Sequence, residues 1–131
     1  MIEPFIFIQT APIKKGRLEG YQQDFKETTQ LVEAEEPRVL HFACYINEEG
    51  TEQTVIQVHP DAESMRFHMQ VAAQHIRERG PRNLDFSKMR IEVYGTPTEP
   101  VLELMRELSG SGVPITTKTL AAGFSRLPDL G

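Results

Sequence analysis

Segments with strand and helix periodicity alternate along this chain, and Pro and Gly cut between them, so the order of elements is the tightest constraint on its fold. Phe5 to Gln9 is β-prone and follows Pro4 directly, which marks a first strand. Ala11 to Gly16, with Pro12 and the Lys14-Lys15 pair, reads as a loop. Leu18, Tyr21, Phe25, Thr28 and Val32 then recur at spacings of three and four, the stripe of an amphipathic helix that Pro37 stops. Glu33, Glu35 and Glu36 near its end read as a solvated acidic face. Val39 to Ile46 and Glu52 to Val58 flank the turn Asn47-Glu48-Glu49-Gly50, a hairpin pattern. His59-Pro60-Asp61 breaks the later strand, and Asp61 is placed to cap a second helix. There Ala62, Met65, Met69, Ala72 and Ile76 step by three and four to about Arg79, where Gly80-Pro81 ends the helix. Lys88 to Tyr94 supplies a fourth strand.

The order β-α-β-β-α-β, complete within residues 1–95, is the split-βαβ, ferredoxin-like signature: an α+β fold with an antiparallel sheet and both helices on one face. Residues 96–131 extend the same domain. Val101, Leu102, Leu104, Met105 and Leu108 predict a helix after Pro100 that covers Phe67 and Val71 of the second helix, or the same patch on a partner. A Ser-Gly hinge at 109–112 leads to an edge strand over Val113 to Leu120, which exchange between subunits would suit. At 131 residues the chain has room for one such core. Nineteen acidic against fourteen basic residues give a net charge of −5, and Lys14, Lys15 and Arg17 do not make a basic stripe, so nucleic acid is not expected as a partner. No apolar run is long enough for a membrane span and no secretory leader is evident, and Cys44 is alone, which points to a reducing cytoplasm.

Alternation divides each strand between two faces. Leu40, Phe42, Cys44 and Ile46 form a wholly apolar set, assigned to the helix side together with Ile6, Ile8, Ile56, Val58, Ile91 and Val93. The uncovered face would then carry Phe5, Phe7, Gln9, His41, Ala43, Tyr45, Val55, Gln57, His59, Arg90, Glu92 and Tyr94. Rings mixed with His, Gln, Arg and Glu suit a ligand cavity or a partly polar homodimer interface.

The element order, the segment VLHFACYI at 39–46 behind a Glu-rich helix, and DAESMRFH at 61–68 together resemble the antibiotic-biosynthesis-monooxygenase-like branch of the dimeric α/β-barrel superfamily. The resemblance covers roughly residues 4–95 and implies two sheets paired face to face as a homodimer, with His68 the histidine of the second helix. It also implies cofactor-independent monooxygenation of an organic, often aromatic, substrate that becomes a stabilised carbanion, the protein supplying a base, oriented hydrogen bonds and a dry pocket. Some members of that superfamily degrade haem instead. This chain has no Trp, and its Asn residues, Asn47 and Asn83, fall in predicted turns, so an Asn/Trp site is not carried over.

His68 and His41 are the candidate catalytic bases, since imidazole titrates near neutrality. Phe7, Tyr45, His59, Arg90 and Tyr94 are the candidate substrate-binding residues: Arg90 steadies developing negative charge, the tyrosines orient an oxygen and Phe7 is a wall. His75, seven residues and about 10 Å along the helix from His68, is too far to share a metal with it and reads as an edge residue. Cys44 reads as a small core residue. No cofactor or metal is expected. The alternative is a non-catalytic homodimer that binds a small molecule or packs on another protein.

Overall fold

The computed structural model describes residues 3–79, 82–110 and 112–128, with residues 76–79 described by their backbone. Gly80-Pro81, the Ile76 side chain and the Ser111 of the hinge lie outside what is described. Strand β1 (Phe5–Pro12) leads to helix α1 (Leu18–Glu35), the hairpin of β2 (His41–Ile46) and β3 (Glu52–His59), and helix α2 (Ala62–Arg79). After a single 3₁₀ turn at Phe86–Lys88 come β4 (Arg90–Tyr94), helix α3 (Glu99–Ser109) and β5 (Ile115–Lys118). The strands form one five-stranded sheet in the order β2-β3-β1-β4-β5. The first four are antiparallel neighbours, and β5 adds to the edge parallel to β4, so that α3 is the crossover between them.

Local chemistry explains the element ends. Asn47 turns the hairpin by accepting from the Thr51 and Glu52 backbone N–H groups at 2.8 and 3.0 Å, and Gly50 takes the positive φ of 71° that the turn requires. Asp61 caps α2 by accepting from Ser64 N–H at 2.9 Å. The first strand runs past Gln9 to Pro12: Ala11 pairs with Gln53 and is fully buried, so the expected loop begins later. The terminal strand is shorter than expected and lies at the edge beside β4 of its own chain.

The register overturns part of the face assignment. Phe42 and Val93 share a face with Phe7 and Gln57, because each is a direct partner across the sheet. The helix side therefore carries Phe5, Phe7, Gln9, Phe42, Cys44, Gln53, Val55, Gln57, His59, Ile91 and Val93. Ile6, Ile8, Ile56 and Val58 point the other way, onto the uncovered face with His41, Ala43, Tyr45, Arg90, Glu92 and Tyr94. Two strands are thus reversed relative to expectation, and Phe7 and His59 move to the helix side. In β1 the run Phe-Ile-Phe-Ile is apolar on both faces, so alternation holds no signal there. In β3 the more polar set is the buried one, and hydrogen bonds offset its desolvation.

Beneath the helices, Phe5, Phe7, Met65, Met69, Met89, Ile91, Val93, Val101 and Met105 form one hydrophobic cluster. Helix α3 contributes to it directly through Val101 and Met105, both essentially inaccessible. It does not bury Phe67, which stays 47% exposed. Among the described residues no helix is long and apolar enough to cross a membrane.

Candidate functional site

Between the helix side of the sheet and α1, α2 and α3 lies a cavity of about 250 Å³. Its walls are largely apolar: Phe7, Phe25, Phe42, Met65, Met69 and Met105 are among them. Thioether side chains adapt their shape to what they enclose, which suits a wall that must accept an organic molecule.

At one end stands His68, on the face of α2 that looks at the sheet, with its ring 5.4 Å from that of Phe42 and 6.0 Å from that of His59. Its Nδ1 lies 2.8 and 3.0 Å from the two carboxylate oxygens of Glu36. A carboxylate accepts, so Nδ1 carries the proton and donates to it. Nε2 makes no hydrogen bond to the described residues. Both side chains are withdrawn from water, 7% exposed for His68 and 1% for Glu36. Glu36 is not part of a solvated acidic run: it is the residue that closes α1, donating its backbone N–H to Val32 at 2.9 Å while its carboxylate turns inward. Phe42 is stacked between this pair and Phe25, whose ring is 5.1 Å away and tilted by only 6°.

Beside His68, His59 is fully buried, with Nδ1 2.7 Å from Ser64 Oγ and Nε2 2.9 Å from Gln57 Oε1. Burial, reinforced by the neighbouring His68, lowers its pKa to about 3, so the ring stays neutral. Along the floor, Tyr21 donates to Gln53 Oε1 and Gln53 Nε2 donates to Gln9 Oε1 at 2.7 Å. Burial pushes the Tyr21 hydroxyl well above the usual phenol range, and the adjacent Cys44 thiol is raised by the same cause.

The other end is closed by Asp24, which receives Arg82 at 2.6 and 2.9 Å and Asn83 Nδ2 at 2.6 Å. Asn83 lies in a turn, as its neighbours predicted, yet is buried and lines the cavity; its carboxamide oxygen accepts from Arg17 Nε at 3.1 Å. His75 also lines the cavity rather than an outer edge, and its Nε2 is 2.9 Å from Thr28 Oγ1.

The sequence candidates separate onto two surfaces. Phe7, His59 and His68 belong to the cavity side. His41, Tyr45, Arg90 and Tyr94 lie across the sheet from it, on the uncovered face. There His41 Nε2 is 2.9 Å from the Tyr45 hydroxyl, their rings stack, and Tyr94 donates to Glu92. Glu36, Gln53, Ser64 and Asn83 were missed as site residues, while Gln9 and Gln57 were read as part of a ligand-suited face but on the wrong side of the sheet. For Gln53 the sequence signal is the spacing of Gln53, Val55, Gln57 and His59, a polar set that repeats with strand period. Among the described residues no group of three or more His, Cys, Asp or Glu side chains could hold a metal ion.

No protein-family model matches the sequence, and no curated protein matches it either. Solved structures do. MupZ from Pseudomonas fluorescens superposes with a TM-score of 0.71 at 20% identity, over 96% of this chain and 91% of that one. A candidate antibiotic biosynthesis monooxygenase from Nitrosomonas europaea gives a TM-score of 0.62 at 14% identity, over 73% of this chain and 92% of that one. Another from Caulobacter crescentus gives 0.61 at 15% identity, over 70% and 88%. Likeness at these identities is one of fold: the chain shares the ferredoxin-like α+β fold of these structures.

Proposed function

We propose that the cavity under the helices binds a small, uncharged organic molecule and that His68 acts there as a general base without a cofactor. One observation carries this reading: a buried Glu36–His68 pair at the end of the cavity, with the carboxylate on Nδ1, His68 in the cavity lining, and Nε2 making no hydrogen bond to the described residues. A core that needed only packing would be served better by apolar side chains, because two buried ionisable groups cost more to desolvate than they return. In a base, the same arrangement holds the tautomer and steadies the imidazolium once it has taken a proton. The walls support a neutral ligand, since Arg82 and Arg17 are engaged by Asp24 and Asn83 and His59 is neutral.

Within this reading, the specific reaction is oxygenation of an acidic C–H. His68 removes the proton, the resulting carbanion supplies its own electrons to O₂, and a CH₂ group becomes a carbonyl with release of one water. The fold likeness to candidate monooxygenases supports that choice. Oxygen uptake measured with enolisable ketones and hydroxylated polycyclic aromatics checks it, with no metal or cofactor added. His68→Gln is expected to lower turnover by about 10²–10⁴-fold, the usual worth of a general base, with ligand affinity retained. Turnover unchanged in that variant sinks the base assignment. Tight binding with no turnover by the unaltered protein favours the carrier or sensor reading.

The partner reading is a homodimer joined through the uncovered face. Half-buried Ile6, Ile8, Ile56 and Val58 there, with Tyr45 49% exposed beside them, support an apolar surface completed by a second copy.

A further inference from the structure

The hydrogen bonds beside His68 have a fixed direction, and following it to the end reaches an unused donor. Asp61 accepts from the Ser64 N–H and pins the first turn of α2, which sets Ser64 Oγ 2.7 Å from His59 Nδ1. His59 Nε2 is 2.9 Å from Gln57 Oε1. An amide oxygen only accepts, so Nε2 must carry the ring proton. In a neutral ring Nδ1 is then the acceptor, and the Ser64 hydroxyl donates to it. Burial and the neighbouring His68 keep this ring neutral. With its oxygen committed to His59, the Gln57 carboxamide presents its NH₂ away from that ring. Gln57 Nε2 bonds to no protein group among the described residues, and Gln57 lines the cavity that His68 also lines. Gln57 is not among the residues with a fully sealed, unsatisfied side-chain atom, so this NH₂ keeps access to the cavity and is free to donate to an acceptor placed there.

We propose that Gln57 Nε2 is the oxyanion donor of this cavity, with His59 and Ser64 as positioning residues. The substrate class follows: a carbonyl compound with an acidic α-hydrogen, or a phenol. When His68 Nε2 takes the C–H or O–H proton, the electron pair stays on the substrate as an enolate or phenolate oxygen, and Gln57 donates to that oxygen. No bond to the protein forms and nothing is oxidised in this step. The inference rests on His68 being the base, and the test separates the two.

The probe is 4-nitrophenol, whose phenolate absorbs visibly, titrated against the full chain over a range of pH. Bound to the unaltered protein it is expected to ionise at lower pH than in water. Gln57→Leu is expected to weaken phenolate binding by tenfold to a hundredfold and to leave neutral phenol affinity within twofold. Ser64→Ala is expected to fall between, because it frees the His59 ring to turn. Equal phenolate affinity in Gln57→Leu and the unaltered protein overturns the oxyanion donor and leaves the base intact. Ionisation unaffected by His68→Gln overturns the base itself, and failure of nitrophenol to bind overturns both. A second measurement needs no variant to fold: ¹⁵N-resolved NMR of the unaltered protein should show His59 protonated at Nε2. Protonation at Nδ1 reverses the Gln57 amide, aims its oxygen at the cavity and overturns the proposal.

Discussion

Keeping His59 uncharged in the core has a cost with a definite pH window. In the unfolded chain a histidine binds its proton near pH 6.5, whereas in the fold His59 binds it only near pH 3. Between those values the unfolded state holds a proton the native state lacks, so this contribution to stability is full above about pH 6.5 and drains away as pH falls toward 3. The slope for one group is at most about 1.4 kcal/mol per pH unit. Urea unfolding at several pH values from 7 to 4 should show this loss, and His59→Gln should flatten it. Cys44 makes a milder test of the same physics. Burial raises its thiol, so alkylation in the native protein should be far slower than after unfolding. His68, singled out as the histidine of the second helix, does line the cavity. Glu36 was not legible in the sequence: an acidic run beside a helix end looks like a solvated face, and only the fold reveals that one of its carboxylates turns inward to a histidine 32 residues away.

At the level of elements, the breaks at Pro37, Gly50 and Asp61 fell where the sequence put them, whereas β1 runs on to Pro12 and β5 covers only Ile115–Lys118. The two hairpin strands paired as the Asn47–Gly50 turn implies. What eluded sequence reasoning was the phase of β1 and β3. A strand that alternates Phe with Ile carries no preference, and its orientation is fixed only by partners on neighbouring strands, here Gln57 and Val93 against Phe7. The turn can be probed separately. Asn47→Ala removes the acceptor for two backbone N–H groups and should cost about 1 kcal/mol, read as a lower urea midpoint. Helix α3 offers a larger effect. Met105 is 2% exposed in the main cluster, so Met105→Ala should cost about 2–5 kcal/mol. A loss under 1 kcal/mol would mean that α3 is an appendage rather than part of the core.

For the molecule as a whole, the reversed phase of two strands changes what each face of the sheet must do. The covered face is unusually polar for a core, and the uncovered face is unusually apolar for a surface. Beyond β5, Leu120 at 56% and Phe124 at 74% exposure add apolar area, with Arg126 resting 4.6 Å from the Phe124 ring. If a second copy covers the open face, Ile56→Glu places a charge in that junction. Light scattering should then report a monomer where the unaltered protein is a dimer. An unaltered protein that is itself a monomer at micromolar concentration would overturn the homodimer. The same variant should leave ligand binding in place, because Ile56 points away from the cavity.

Successive residues of β1 serve opposite surfaces: Phe7 is a wall of the cavity and Ile8 belongs to the open face. One strand's thickness therefore separates the place where a guest molecule would sit from the place where a sister chain would rest. Traffic through the former need not disturb the latter. A guest entering between the helices and the sheet would meet none of the side chains that a second copy on the open face would touch.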